Sequence, residues 1–261
     1  MNEASDGVVR TDTRDHLFVI EVDRRAKLNA FTPELFDALR DALTRLDEDA
    51  SLWCGVLTFA GVNTTAGLDL PRFAARLSTF DAAPDSRVDV FGMDRRVSKP
   101  LVMAVQGITF TIGIEMMLGA DIVVAADDCR FCQMEPKRGL AVFGGAHVRY
   151  LQRAGWGNAM YHLLRADEFG AARALELGFV QEVVPAGEQV KRAIALAEEI
   201  NANAPLAVRE IKRGALRYLE SGERAAFAEI PEMRRRTAGS NDFKEGIASF
   251  RERRAPRFEG R

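Results

Sequence analysis

The chain alternates short apolar runs with longer stretches of helical periodicity. Residues 16–22 (HLFVIEV) and 54–60 (CGVLTFA) read as strands, and 101–105 (LVMAV) and 121–126 (DIVVAA) as buried strands. Between the first two, Thr32 and Pro33 stand as helix cap and first helical residue, and Leu35, Leu39, Leu43 and Leu46 mark a buried stripe. Residues 71–77 predict a short helix, 81–84 a turn, and 87–97 a helix leading into the run at 101–105. Gly107 ends that run, and residues 113–119 have the density of a packed helix. Residues 130–134 predict another short strand, with Glu135 where it ends before Pro136. Further on, 146–153 and 158–165 predict helices separated by Gly155-Trp156-Gly157, 171–177 a helix, and 179–184 a strand stopped by Pro185. From Gly187 the pattern is helical: 189–202, 206–219, 224–235 and 243–253. Residues 1–13 are polar and expected to be loose.

The pattern is broken most sharply at 101–146, LVMAVQGITFTIGIEMMLGADIVVAADDCRFCQMEPKRGLAVFGGA, where Glu115 and Glu135 lie in otherwise apolar, glycine-punctuated sequence. The order strand, loop, helix leads residues 109–112 into a helix N-terminus, where unpaired N–H groups and the dipole favour a negatively charged oxygen. Two carboxylates beside such a loop suit proton transfer next to a carbonyl, one as acid and one as base. Buried carboxylates are also held by internal arginines, and spacing alone leaves that reading open.

Composition narrows the classes. A chain of 261 residues with 47% hydrophobic content can bury one substantial core and a smaller helical part. A formal charge of −2 argues against a general nucleic-acid binder. The apolar span 107–126 has the length of a membrane helix, but Glu115, Asp121 and three glycines within it argue otherwise, and no targeting segment is visible. No membrane association and a cytoplasmic location are expected. Cys129 and Cys132 form Cys-x-x-Cys. On a strand, positions three apart face opposite sides and no second ligand pair stands nearby, so reduced cysteines and no metal site are expected. A serine hydrolase is disfavoured, since G-x-S-x-G is absent and there are only 3 histidines.

VQGITFTIGIEMMLGADIVVAADDCRFCQMEPKRGL resembles the core of the crotonase superfamily, the enoyl-CoA hydratases and isomerases. That pattern is a strand, a glycine-rich turn, Glu in a helix, an Ala-Asp-Ile strand, then Phe-x-x-x-Glu and Gly. NTTAGLDL at 63–70 is similar to the family's Ala-Gly-x-Asp-Leu loop, and NDFKEGIASFRERRAPRF to its C-terminal end. The resemblance runs from about residue 14 and implies an α/β fold, a crotonase-like spiral of ββα turns over 14–195, followed by a C-terminal helical trimerisation region over 196–261.

The same resemblance implies Glu115 and Glu135 as catalytic acid–base groups and the backbone N–H groups of Leu68 and Ile112 as the oxyanion hole. It implies Arg24, Arg25, Lys27, Ala66, Gly67, Asp69 and Gly113 as substrate and CoA contacts. The implied reaction is hydration of the 2,3 double bond of a 2-enoyl-CoA by a homotrimer or dimer of trimers. No cofactor is implied, because CoA belongs to the substrate, and no nucleic-acid partner. Double-bond isomerisation or another acyl-CoA reaction is the alternative, and a non-catalytic CoA-thioester or RNA-binding protein a more distant one. One departure stands out. Where the family's turn is usually glycine or alanine, this chain has Thr111, Ile112 and Gly113, which bears on pocket shape and acyl preference.

Overall fold

A computed structural model of the protein describes residues 6–78 and 85–261. Its strands are β1 (Val8–Arg14), β2 (Leu17–Asp23), β3 (Cys54–Phe59), β4 (Leu101–Val105), β5 (Ile108–Phe110), β6 (Ile122–Ala126), β7 (Arg130–Cys132), β8 (Phe169–Gly170) and β9 (Glu182–Val184). Its helices are α1 (Pro33–Glu48), α2 (Leu70–Ser78), α3 (Ile112–Gly119), α4 (Ala146–Arg165), α5 (Ala171–Glu176), α6 (Gln189–Asn201), α7 (Pro205–Ala228), α8 (Ile230–Ala238) and α9 (Asn241–Glu252).

The apolar runs become the middle of a sheet ordered β1-β2-β3-β4-β6-β9, parallel from β2 onward. Alternate residues of each run go to opposite faces, as strand geometry requires. Phe18, Ile20, Val22, Met103 and Val105 join a large core with α1 and α3. Leu17, Val19, Val56, Val102, Ala104 and Val124 join a second core under α6, with Val190, Ile194 and Ile200 packed against it. Both faces are covered, which is why these runs read as continuously apolar.

A smaller sheet, β5-β7-β8, takes the strands that follow β4 and β6, with β8 added at its edge. The chain goes β4, β5, α3 and then β6, β7, α4, each turn giving one strand to each sheet. Single parallel bridges, Phe31 to Leu68 and Thr65 to Thr109, continue the second layer through the earlier turns. The result is the expected ββα spiral.

Several expectations change. The stretch expected to be loose is strand from Val8 on, antiparallel to β2. Beyond Val8 and Val9 this exposed edge carries no apolar signal, and it is held by the ladder and by Arg10, which pairs with Glu21 across the strands. Residues 87–97 form turns rather than a helix. The Asp89 carboxylate accepts from the N–H groups of Phe91, Met93 and Asp94, and Gly92 sits at φ 60°, so the side chain outcompetes a helical ladder for its own backbone. The turn expected at 81–84 lies outside the described residues. The strand expected over 130–134 stops at Cys132, and Glu135 opens a 3-10 helix, Glu135–Arg138. The strand expected over 179–184 is confined to β9, while Phe179 and Val180 are buried in the loop before it.

The division expected at residue 195 falls inside α6, which belongs to the sheet. The helices after it are α7, bent at Gly222 (φ 78°), α8 and α9. The chain end folds back, with the N–H groups of Glu259 and Gly260 donating to the buried Asp242 carboxylate. No helix among the described residues is long and apolar enough to cross a membrane.

Candidate active site

Two turns meet where the spiral passes from its second layer into helix. In the first, Asn29 donates through its amide to the carbonyls of Ala60 and Asn63, and the Thr65 hydroxyl donates to Asn29 O while accepting from Gly67 N–H. Phe31 N–H donates to Gly67 O and Asp69 N–H to Phe31 O. This parallel bridge uses the groups on either side of Leu68 and leaves the Leu68 N–H without an acceptor among the described residues. In the second turn, Thr111 N–H donates to Cys132 O at 2.9 Å, and Ile112 opens α3. The Ile112 N–H likewise has no acceptor among the described residues, as expected for a first-turn donor.

The turns abut. A Cβ on Gly67 (φ 111°) would lie 2.4 Å from Thr111 Oγ1, and one on Gly113 2.7 Å from Thr65 Cγ2. Glycine is required at both because a methyl group has no room. Two unpartnered N–H groups on abutting turns, one at a helix start, are suited to a developing oxyanion.

Glu115 lies in the first turn of α3 and is 1% exposed. Its Oε1 accepts from Gly144 N–H at 2.8 Å and Ala146 N–H at 3.3 Å. Glu135 is buried, and its Oε2 has no hydrogen-bond partner among the described residues. Burial pushes the Glu115 carboxyl up to about 7, against the opposing pull of the Ala146 and Gly144 N–H groups. Burial also pushes Glu135 up to about 7, and the charge of Glu115 adds to the rise.

Neither carboxylate has an ion-pair partner among the described residues. Arg149, the buried cation nearby, instead donates to the main-chain carbonyls of Glu115 and Gly92. The charge of Arg149 pulls Glu115 down, but burial outweighs it and no ion pair forms between them. What remains is a pair of carboxyl groups that burial raises toward neutrality, a property suited to one acid and one base.

The expected contacts divide. Ala66, Gly67, Asp69 and Gly113 lie in the two turns. Arg24 does not face outward: it is 7% exposed, pairs with Asp69 at 3.0 Å and donates to Ala30 O. It ties the loops together. Arg25 and Lys27 are exposed, Arg25 paired with Asp23. All 3 cysteines are free and buried, and burial pushes the Cys54 and Cys129 thiols up to about 12.

Sequence reasoning missed the Gly144 and Ala146 N–H groups, Arg149, and Gln133, whose buried amide has no partner among the described residues. The Gly144-Gly145 pair before α4 was the available signal. A Cβ on Gly144 would lie 2.5 Å from Glu115 Oε2.

The enoyl-CoA hydratase/isomerase family model matches residues 12–261. The enoyl-CoA hydratase EchA19 of Mycobacterium tuberculosis is 34% identical over 255 residues, 96% of each chain. The 2,3-dehydroadipyl-CoA hydratase of Escherichia coli is 27% identical, over 95% of this chain and 97% of its own. The crystal structure of an enoyl-CoA hydratase from M. tuberculosis H37Rv superposes with a TM-score of 0.87 at 36% identity, covering 97% of this chain and 99% of that one.

Proposed function

Because the chain belongs to the enoyl-CoA hydratase/isomerase family, we propose that it is an enoyl-CoA hydratase in which Glu115 and Glu135 add water across the 2,3 double bond of a 2-enoyl-CoA. The observation that carries this reading is the pair itself: two buried carboxyl groups with no ion-pair partner among the described residues, both raised by burial to about 7.

In this reading the thioester oxygen accepts hydrogen bonds from the N–H groups of Leu68 and Ile112 as it gains charge, each donor contributing roughly 2.7–4 kcal/mol to the transition state. Ionised Glu115, fixed by Gly144 and Ala146, takes a proton from water as the water oxygen bonds to C3. The double-bond electrons move toward the thioester, which is the electron sink, and protonated Glu135 delivers its proton to C2. No metal or redox group is called for. Arg25 and Lys27 supply the exposed cations for the CoA phosphates. Ala66, Gly67, Asp69 and Gly113 shape the thioester end.

The assembly proposed is a homotrimer or a dimer of trimers. Supporting it, α7 to α9 expose Ile211, Phe227, Ile230, Ile247 and Phe250, the last at 85%, more apolar surface than a solvated appendage carries.

The test is turnover of enoyl-CoAs of graded length and branching, followed by absorbance and mass. Loss of enoyl-thioester absorbance with gain of one water is expected. Conversion at unchanged mass identifies a double-bond isomerase, and no conversion, together with a gel shift on RNA, a binding protein.

A further inference from the structure

Thr111 is held where a β-branched residue does not belong. Its backbone lies at φ 51°, ψ −115°, a region open to glycine and costly for other residues, of order 1–3 kcal/mol. Its side chain is half-buried, and Oγ1 stands against Gly67, 2.4 Å from where a Cβ would be. Gly67 precedes Leu68, and Thr111 precedes Ile112. The hydroxyl is therefore placed between the two turns that carry the unpartnered N–H groups. It has no hydrogen-bond partner of its own among the described residues. Glycine would relieve the strain and still leave both N–H groups in place, so the backbone alone gives no reason for threonine.

We propose that the Thr111 hydroxyl is a third hydrogen-bond donor to the thioester oxygen, acting alongside the N–H groups of Leu68 and Ile112. The inference rests on the hydratase reading of this site. Side-chain hydroxyls serve as oxyanion donors when they are aimed where charge develops. The simpler role, a wedge locking the two turns together, depends on shape and not on the hydroxyl.

Three variants separate these roles. Thr111→Val keeps the branched shape and removes the hydroxyl, Thr111→Ser keeps the hydroxyl, and Thr111→Gly removes both the hydroxyl and the strain. Each is measured for kcat and KM on the best enoyl-CoA. Each is also measured for the absorption maximum of bound aminocinnamoyl-CoA, a push–pull thioester whose band moves to longer wavelength as its carbonyl is polarised.

Thr111→Val and Thr111→Gly should lose about 10- to 100-fold in kcat, below the 10²–10³ of a principal donor, with KM within a few-fold and a smaller red shift. Thr111→Ser should recover most of both. Thr111→Gly should melt higher than the wild type while remaining slow. A wild-type kcat and red shift in Thr111→Val overturns the proposal, and so does an equal loss in Thr111→Val and Thr111→Ser with an unchanged red shift. If the wild type hydrates no enoyl-CoA while the red shift still depends on the hydroxyl, the hydration reading fails and the donor stands.

Discussion

At the scale of single residues, burial of Glu115 and Glu135 works against stability above neutral pH. A carboxyl raised from 4.5 to about 7 binds its proton more tightly in the folded chain than in the unfolded one. The folded state is then favoured below about pH 4.5 and loses that advantage as pH rises to about 7, beyond which the loss is constant. Glu115→Gln and Glu135→Gln should therefore each be more stable than the wild type at pH 8, by about 1–3 kcal/mol. The difference should close near pH 4.5, as followed by denaturant unfolding at both pH values. Equal stability at pH 8 would mean that the carboxylates are solvated. Gly144→Ala should act oppositely: its methyl group meets Glu115 Oε2 and Phe91 Cδ1 at 2.5 and 2.8 Å. It should lower kcat by about 10-fold or more through misplacement of the base, with a lower Tm and little change in KM. The glutamates were legible in the sequence because ionisable residues in apolar runs demand an explanation. The strain at Thr111 was not, since a backbone dihedral leaves no trace in residue type when the residue is not glycine, and the Gly144-Gly145 pair gave no sign that Gly144 packs against Glu115, which is a tertiary contact.

Elements were legible where burial imposes a period and illegible where side chains capture the backbone. Helix α1 begins as expected because Thr32 Oγ1 accepts from Leu35 N–H at 3.2 Å with Pro33 at its start. The strands β2, β3, β4 and β6 are continuous apolar runs because both sheet faces are covered. The edge strand β1 and the turns at 87–97 escaped the reading, the first because its side chains face water, the second because Asp89 replaces the helical ladder. That loop backs the site: a Cβ on Gly119 would meet Phe91 O at 2.7 Å, and Arg149 spans Gly92 O and Glu115 O. Asp89→Ala, which frees three backbone N–H groups, should cost about 2 kcal/mol of stability. It should also lower kcat several-fold, checked by thermal unfolding and initial rates. An unchanged Tm would mean that the loop is held from elsewhere.

For the whole molecule, alternation of strand and helix named the class, but the spiral came from the family resemblance. Periodicity says which residues are buried and not which strand each run pairs with. The placement of β5 and β7 in a second sheet is a tertiary fact carried by pairings such as Phe110 with Cys132. The C-terminal helices expose residues such as Ile211 at 66% and Phe227 at 61%. Light scattering should give a trimer or a dimer of trimers, and a monomer at micromolar concentration would contradict the assembly. The central claim, that Glu115 and Glu135 together add water to an enoyl thioester, is tested most directly by initial rates in oxygen-18 water, with mass-spectrometric detection of the 3-hydroxyacyl-CoA. The wild type should place one labelled oxygen on the product, and Glu115→Gln and Glu135→Gln should each fall by roughly 10²–10⁴ while remaining folded. Labelled product at near wild-type rate from both folded variants would contradict the account.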